Sequence, residues 1–469
     1  MKLEALLKAG NVKGVKDDSR RVAPGDVFIS FPVPEAESFV KAAVAAGAVA
    51  IVSEADKPEG LEVEWLKVQN AAEARLELAQ KFYGEPFKSL MVHAVTGTNG
   101  KTTSAFLMRE ILAAAGKKVA LLGTICNRIL DEKLPSALTT PGLLDLHAFA
   151  RKALDAGATE LVMEASSHAL LQGRVAGIRF ASALFSNLTQ DHLDYHKTME
   201  NYFEAKKLLF TKYLAADGLA VLNIDDAHGK LLAETLSCRK LLVSRLMSPL
   251  ANLKPSKAPD VHESGIEILL PEISAEPFRT ALCGEFNVDN VLLVLGWAKG
   301  LGLPEQAMRS ALASVKVPGR FEKVYDANGR HVIVDYAHTP DALERVLKTA
   351  RRLCQGKLSV VFGCGGDRDK KKRPLMGAIA EENADVAWVT SDNPRTEVPE
   401  EILKDIEAGM RLPHKVEVDR AKAIFAAVKS LGAGDWLVVA GKGHEDYQIV
   451  GKVKHHFDDS EEVLKAVNS

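Results

Sequence analysis

Apolar runs that stop abruptly at clusters of polar and glycine residues recur along this chain, and alanine- and leucine-rich stretches of helical period separate them. Short runs at Val27–Phe31 and Ala48–Val52 open the series. A second set lies at Lys118–Ile125, Glu160–Glu164, Ala181–Asn187 and Leu219–Ile224, and a third at His331–Val334, Leu358–Phe362, Val386–Thr390 and Trp436–Ala440. Runs of this kind read as strands, and strands alternating with helices predict a mostly parallel sheet. Tyr83-Gly84-Glu85-Pro86 and Val317-Pro318-Gly319-Arg320 punctuate the pattern, since Gly and Pro interrupt regular elements. The expected organisation is α/β in three domains, 1–88, 89–316 and 317–469. The Pro/Ser/Lys-rich segment 247–264 reads as a surface excursion of the middle block.

The sharpest local signal is Met-Val-His-Ala-Val-Thr-Gly-Thr-Asn-Gly-Lys-Thr-Thr at 91–103. An apolar run ends in a Gly/Asn turn, and an amphipathic pattern follows through Ala115. That order is strand, phosphate-cradling loop, helix; backbone N–H groups, a lysine and a hydroxyl suit a polyphosphate and its Mg²⁺. The loop Gly97-Thr98-Asn99-Gly100-Lys101-Thr102-Thr103 is a shortened Walker A, with Val95 where the strict spacing has its first glycine. Six further polar clusters also follow apolar runs, at 164–168, 187–196, 335–338, 363–373, 392–397 and 441–445. Ligands of open parallel sheets bind beyond the carboxyl ends of the strands, so these clusters predict a cleft between two α/β domains.

Composition narrows the chemistry. The 469 residues are 47% hydrophobic and 26% charged, with a formal net charge of −2, so no global field draws the chain to nucleic acid or an anionic membrane. Five scattered cysteines without CxxC spacing argue against a disulfide framework or zinc ribbon and fit a reducing cytosol. The opening Met-Lys-Leu-Glu-Ala-Leu-Leu-Lys is too short an apolar stretch for a signal peptide, and no run reaches the ~20 apolar residues of a membrane helix.

Glu164, at a strand end facing the phosphate loop, can hold Mg²⁺, while Ser166 or Ser167 caps the following helix. His192 and His196 stand four apart, a spacing a zinc ion could use on a helix. Leu193 occupies the place of the zincin glutamate, however, and His196 reads as a surface residue. Lys206 and Lys207, taken alone, read as the solvated face of an amphipathic helix. Gly363-Cys364-Gly365-Gly366-Asp367-Arg368-Asp369 permits close backbone approach, and Arg368 could meet a carboxylate or phosphate. Ser391-Asp392-Asn393-Pro394-Arg395-Thr396-Glu397 is a turn with both signs of charge, suited to a zwitterionic amino acid; an Asn-Pro turn with solvated flanks is its bland alternative.

Together these stretches resemble the Mur ligases, over essentially the whole chain and in order. The resemblance rests on 96–103, 164–168, 187–196, Gly-Glu-Phe-Asn-Val-Asp-Asn (284–290), Pro-Gly-Arg-Phe-Glu (318–322), Asp-Tyr-Ala-His-Thr-Pro (335–340), 363–369, Asp-Asn-Pro-Arg (392–395) and Gly-Lys-Gly-His-Glu (441–445). It implies a small N-terminal UDP-binding α/β domain, a central P-loop-type ATPase domain and a Rossmann-like C-terminal domain. The implied activity is ATP-dependent amide-bond formation through an acyl phosphate, in cytoplasmic peptidoglycan precursor synthesis.

By the same resemblance, Lys101 holds the ATP phosphates with Gly97, Thr98, Asn99, Gly100, Thr102 and Thr103. Thr102 and Glu164 hold one Mg²⁺, and His192 helps place a second. Lys206 matches a carbamylated lysine that serves as a metal ligand, which reverses the bland reading. Asn287 and Asn290 contact the adenine side of ATP, and Arg320 and Asp335 bind ATP from the other domain. Ser19, Thr139, Thr140, Ser166, Gln172 and Arg174 match positions that bind the UDP-muramoyl peptide. Arg368, Asp392, Asn393, Pro394, Arg395, Gly441 and Glu445 match the pocket for the incoming amino acid. The Asp-Asn-Pro-Arg form resembles the meso-diaminopimelate type, because an arginine there can pair with that substrate's distal carboxylate. The implied partners are small molecules, with no nucleic acid and no membrane insertion, and the expected state is a monomer.

One stretch departs from the family pattern: Ser30–Phe39 is shorter than the usual Gly-x-x-x-Asp-Gly segment, which leaves uridine recognition open. Three alternatives stay open at this point. They are the same ligase using L-lysine or another diamino acid, a folylpolyglutamate-synthetase-like ligase, and a nucleotide-binding regulator without ligase activity.

Overall fold

The computed structural model describes residues 3, 6, 7 and 12–469; the opening stretch 1–8 lies mostly outside the described residues. The chain forms two compact units, Met1–Lys254 with Leu292–Met308, and Pro255–Val291 with Arg309–Ser469.

In the first unit, a four-stranded parallel sheet runs in the order Gly14–Lys16, Asp26–Ser30, Ala50–Ser53, Glu64–Lys67. An eight-stranded sheet follows the order Lys240–Val243, Leu214–Asn223, Phe180–Phe185, Met91–Thr96, Glu160–Glu164, Val119–Leu122, Asn127–Ile129, Glu132–Leu134. Its first six strands, up to Val119–Leu122, make five pairings, all parallel, with Met91–Thr96 between Glu160–Glu164 and Phe180–Phe185; only the last two strands are antiparallel. Leu161, Met163, Ala183 and Phe185 are fully buried on those strands, which is why their apolar runs are continuous rather than alternating. The helix Lys101–Ala114 is buried on nearly every side rather than amphipathic, with Thr102 through Arg109 all buried.

One buried polar chain crosses this sheet. Trp297, in the helix Glu285–Gly300, donates its indole N–H to Ser182 Oγ (2.7 Å). Ser182 Oγ lies 2.7 Å from His93 Nδ1, and His93 Nε2 lies 3.1 Å from Glu160 Oε2. Because the indole can only donate, the serine hydroxyl is free to donate to Nδ1, leaving Nε2–H for the carboxylate.

The second unit contains a six-stranded sheet in the order Glu322–Ala327, Arg330–Asp335, Trp436–Ala440, Leu358–Phe362, Val386–Val389, Lys415–Val416, parallel after its first pair. It also holds an antiparallel sheet of Asp260–His262, Gly265–Ile268 and Phe278–Thr280, and a hairpin of Tyr447–Val450 with Val453–His456. The excursion expected at 247–264 therefore contains a strand and leads into this small sheet. Among the described residues no helix is long and apolar enough to cross a membrane.

Candidate active site

The strand Met91–Thr96 delivers the phosphate loop, and the loop's shape depends on Gly97. A Cβ there would lie 1.9 Å from Ser186 Oγ, and Gly97 φ is 153°. The loop 187–189 clasps it from the other side. Asn99 N–H donates to Asn187 Oδ1 (2.9 Å), Thr98 N–H to Asn187 O (2.9 Å), and Thr189 N–H to Thr98 Oγ1 (3.0 Å). Ser186 Oγ donates to Asn99 O (2.6 Å). Gly100, at φ 86°, turns the chain into the helix that begins at Lys101, so Thr102 and Thr103 sit in its first turn.

Lys101 Nζ donates to Gly97 O (3.0 Å) and Thr98 O (2.8 Å). Lys206 Nζ donates to the same Gly97 O at 2.7 Å and lies 4.5 Å from the centre of the Tyr202 ring. Lys206 is 1% exposed, whereas Lys207 points out and pairs with Glu204. The solvated-face reading thus holds for Lys207 and fails for Lys206. Burial holds the Lys206 amine well below the usual lysine range, and the Lys101 charge pushes it further down.

Glu164 is fully buried and gathers a small network. Its Oε2 accepts from Thr102 Oγ1 (3.0 Å) and Thr124 Oγ1 (3.0 Å), and its Oε1 accepts from Thr124 N–H (2.8 Å). Thr102 and Glu164 offer hard oxygen donors side by side, the kind of set Mg²⁺ takes. Among the described residues no group of three or more His, Cys, Asp or Glu side chains gathers as a metal site. His196 is buried rather than exposed, and its Nε2 lies 2.9 Å from Ser167 Oγ. The surface reading of His196 is corrected by its packing between His168 and Tyr202. His192 adopts φ 54°, lies edge-on to His168 at 4.9 Å, and has its imidazole pKa lowered by burial.

Of the residues expected for the UDP-muramoyl peptide, Thr139, Thr140, Ser166, Gln172 and Arg174 join into one network next to Glu164, and Ser19 does not. Thr139 Oγ1 is 3.0 Å from Thr124 Oγ1. Thr140 Oγ1 donates to Glu164 O (2.8 Å) and accepts from Ser166 N–H (3.1 Å). Ser166, not Ser167, caps the helix Ser167–Leu171, accepting from Ala169 N–H. Arg174 donates to Thr140 O (3.0 Å) and twice to Gln172 Oε1. Ser19 begins a short 3₁₀ turn capped by Asp18. Thr124 was missed by the sequence reading because the apolar run was carried through to Ile125. The strand ends at Leu122, which places Thr124 just past a carboxyl end, the one available signal.

In the second unit, Asn287 and Asn290 are buried, with Asn290 Nδ2 donating to Asn287 Oδ1 (3.0 Å) and Asn287 Nδ2 to Cys283 O (2.8 Å). Asp335, at the end of its strand, accepts from Phe321 N–H (2.6 Å) and Ala337 N–H (2.8 Å). Burial raises its carboxyl pKa and the Arg320 charge opposes that rise. The Arg320 guanidinium lies 4.7 Å from the centre of the Tyr336 ring.

The loops 363–369 and 392–397, expected to take the amino acid, are held together from below. Gly366 approaches so closely that a Cβ would lie 1.9 Å from Pro394 O. Arg395, at φ 52°, donates to Gly366 O (2.8 Å), and Arg368 donates to Asp367 O (3.0 Å). Arg373, in the basic run after this loop, turns inward and is fully buried. It donates to both oxygens of Glu397 (2.9 and 3.0 Å) and to Asp405 (2.8 Å). The Arg373 guanidinium holds the Glu397 carboxyl down at about 2. Asp392 and Asn393 are buried, and Asn393 Nδ2 donates to Glu445 Oε2 (2.8 Å).

Comparison with known proteins places this geometry in a family. Residues 95–298 match the Mur ligase middle domain, and residues 319–443 match the Mur ligase glutamate ligase domain. The UDP-N-acetylmuramoyl-L-alanyl-D-glutamate--2,6-diaminopimelate ligase of Synechococcus elongatus is 46% identical, over 97% of this chain and 94% of that protein. The ligase of the same name from Geobacter metallireducens is 43% identical over 97% and 94%. A solved structure of a ligase of that name superposes with a TM-score of 0.68 at 37% identity, covering 97% of this chain and 94% of that one. A MurF ligase from Thermotoga maritima in complex with ADP shares the fold, with a TM-score of 0.63 at 19% identity. A glycine-shaped phosphate loop, a buried Glu164 bound to Thr102 and a buried Lys206 therefore stand in a chain that belongs to the Mur ligase family.

Proposed function

We propose that this chain is an ATP-dependent, ADP-forming ligase that joins meso-diaminopimelate to UDP-N-acetylmuramoyl-L-alanyl-D-glutamate in peptidoglycan precursor synthesis. A carboxylate is a poor electrophile, so the D-glutamyl side chain is first phosphorylated. One of its oxygens bonds to the γ-phosphorus as the β–γ bridge breaks and ADP leaves. The deprotonated amine of the incoming amino acid then attacks the acyl carbon; the C–N bond forms, the C–O bond to phosphate breaks, and phosphate departs.

Two anions meet in the first step, so cations must crowd the reacting oxygens. The loop N–H groups at the start of the helix Lys101–Ala114 and the Lys101 ammonium receive the phosphates. Thr102 and Glu164 would hold one Mg²⁺ and His192 would help place a second, and the ions would supply charge neutralisation on the phosphate oxygens. Lys206 would join that set as a carbamate. Burial lowers the Lys206 pKa and so favours the neutral amine, the form that would add to carbon dioxide, losing a proton and becoming a carboxylate-like ligand. Thr139, Thr140, Ser166, Gln172, Arg174 and Ser19 take the UDP-muramoyl peptide; Asn287, Asn290, Arg320 and Asp335 take ATP. Arg368, Asp392, Asn393, Pro394, Arg395, Gly441 and Glu445 take the amino acid, with Arg395 on its distal carboxylate. The domain limits 1–88, 89–316 and 317–469 follow the same assignment of substrates.

The observation that carries this reading is the buried Lys206 amine sharing the Gly97 carbonyl with Lys101, beside the Thr102–Glu164 pair. The test is phosphate release from ATP with UDP-N-acetylmuramoyl-L-alanyl-D-glutamate and meso-diaminopimelate, L-lysine or no amino acid. Release with diaminopimelate and a product heavier by that residue is expected. Preference for lysine would overturn the assignment of Arg395, and no release with any of them would overturn the ligase.

A further inference from the structure

Among the described residues the hairpin Tyr447–Val450/Val453–His456 forms a sheet of two strands, with a single bridge from Val450 to Arg395, and Val453–His456 is exposed throughout. An isolated two-stranded hairpin is marginal in water, so its position depends on what it is tied to. The ties run to the amino-acid loop. Arg395 N–H donates to Ile449 O (3.0 Å), Gly451 N–H to Arg395 O (2.7 Å), Ile449 N–H to Asn393 Oδ1 (2.9 Å), and Gln448 Nε2 to Asp392 O (2.7 Å).

Lys442 lies under this junction, fully buried. A lysine ammonium has three N–H donors and no acceptor. Here it faces three acceptors: Tyr447 O, Asn393 Oδ1 at 3.3 Å and Glu445 Oε2 at 3.6 Å. One buried cation thus touches the hairpin, the Asp-Asn-Pro-Arg loop and the pocket carboxylate together. Nothing in the reaction above uses it.

We propose that Lys442 is a positioning residue for the acceptor amino acid, fixing Asn393, Glu445 and the hairpin strand Tyr447–Val450 in the one arrangement that receives it. This rests on the reading that the loop 392–395 with Glu445 takes the amino acid. Other charged and titratable groups also face Glu445. Asp392 raises its pKa, after burial, while Lys442 and the Asn393 hydrogen bond lower it; Tyr336, Tyr447 and Arg420 also sense its charge. Without Lys442, Glu445 takes up a proton at higher pH than in the parent.

The test compares the parent enzyme with Lys442→Met and Gln448→Leu by phosphate release at saturating ATP and UDP-muramoyl dipeptide, varying meso-diaminopimelate across a pH series. Loss of charge-assisted hydrogen bonds predicts a KM for the amino acid raised about 10- to 100-fold in Lys442→Met, with the KM for ATP little changed. The acid limb of the amino-acid KM moves to higher pH in that variant. Gln448→Leu, on the half-buried strand of the hairpin, raises the same KM by a smaller factor, about 3- to 10-fold, and leaves the acid limb in place. An unchanged amino-acid KM in both variants overturns the proposal, as does an equal rise in the KM for ATP. Should Lys442→Met give no cooperative melt, Gln448→Leu decides alone by the same criterion. A parent enzyme inactive with every diamino acid overturns the pocket reading, and the role of Lys442 with it.

Discussion

Lys206 illustrates how one side chain can oppose stability and serve chemistry. An ammonium in a fully buried position loses its hydration, and the neighbouring Lys101 charge adds repulsion, so the folded protein prefers the neutral amine. In buffer free of carbon dioxide and Mg²⁺, Lys206→Met is therefore expected to raise Tm by a few degrees, measured by calorimetry, while abolishing turnover. Lys206→Ala should lose turnover too and regain part of it when a short carboxylate such as acetate or formate is supplied. Full activity of Lys206→Ala without supplement would remove the carbamate. Thr124 makes a second residue-scale case. Its hydroxyl and N–H hold both oxygens of Glu164 and its hydroxyl also meets Thr139. Thr124→Val keeps the shape and the N–H but removes the hydroxyl. A drop in kcat/KM of about 10-fold is expected, seen with both ATP and the UDP-muramoyl dipeptide as varied substrate.

At the scale of elements, buried strands announced themselves and exposed ones did not. Glu160–Glu164, Leu358–Phe362 and Trp436–Ala440 coincide with their apolar runs because both faces of each strand are covered. The hairpin 447–456, the edge strands Asn127–Ile129 and Glu132–Leu134, and the sheet of 260–280 have little continuous apolar sequence, since they bury at most one face. The site followed the same logic. Residues in glycine-marked loops were legible, Lys442 only as a member of the cluster 441–445 without a role of its own, whereas Thr124 and the inward turn of Arg373 were not. Nothing in a lone threonine or a run of basic residues says that one member turns inward. Arg373 is the clearest instance: Arg373→Ala leaves Glu397 and Asp405 without their shared partner and is expected to cost about 2–3 kcal/mol by denaturant unfolding. Helix packing also sets a pH limit. His147, on the buried face of the helix Leu143–Asp155, is driven from 6.5 down to about 4 by burial. The folded state thus favours neutral imidazole, and its contribution is complete above 6.5 and lost as pH falls toward 4, by up to about 3 kcal/mol. His147→Phe should flatten the acid side of a plot of stability against pH in that window.

For the whole molecule, the near-balance of 60 basic and 62 acidic residues means that its anionic substrates are met by local charges rather than by a general field. Raising salt should therefore weaken substrate binding only modestly. Whole-molecule stability depends on a piece supplied late in the sequence. Trp297 is fully buried and bonds Ser182 in the central sheet of the first unit, and Trp297→Ala is expected to cost about 3–5 kcal/mol in chemical denaturation.

That late piece has a consequence for synthesis. The first unit comprises Met1–Lys254 and Leu292–Met308, and the residues between belong to the other unit. As the nascent chain emerges, the sheet built by residue 254 stays uncapped until the segment through Met308 has cleared the ribosome. At 5–20 residues per second that interval is about 3–11 s, during which the face of the sheet that Trp297 covers is open to chaperones. Stalled chains cut short before Leu292 should accordingly be captured by trigger-type holdases, and those extended past Met308 should be released.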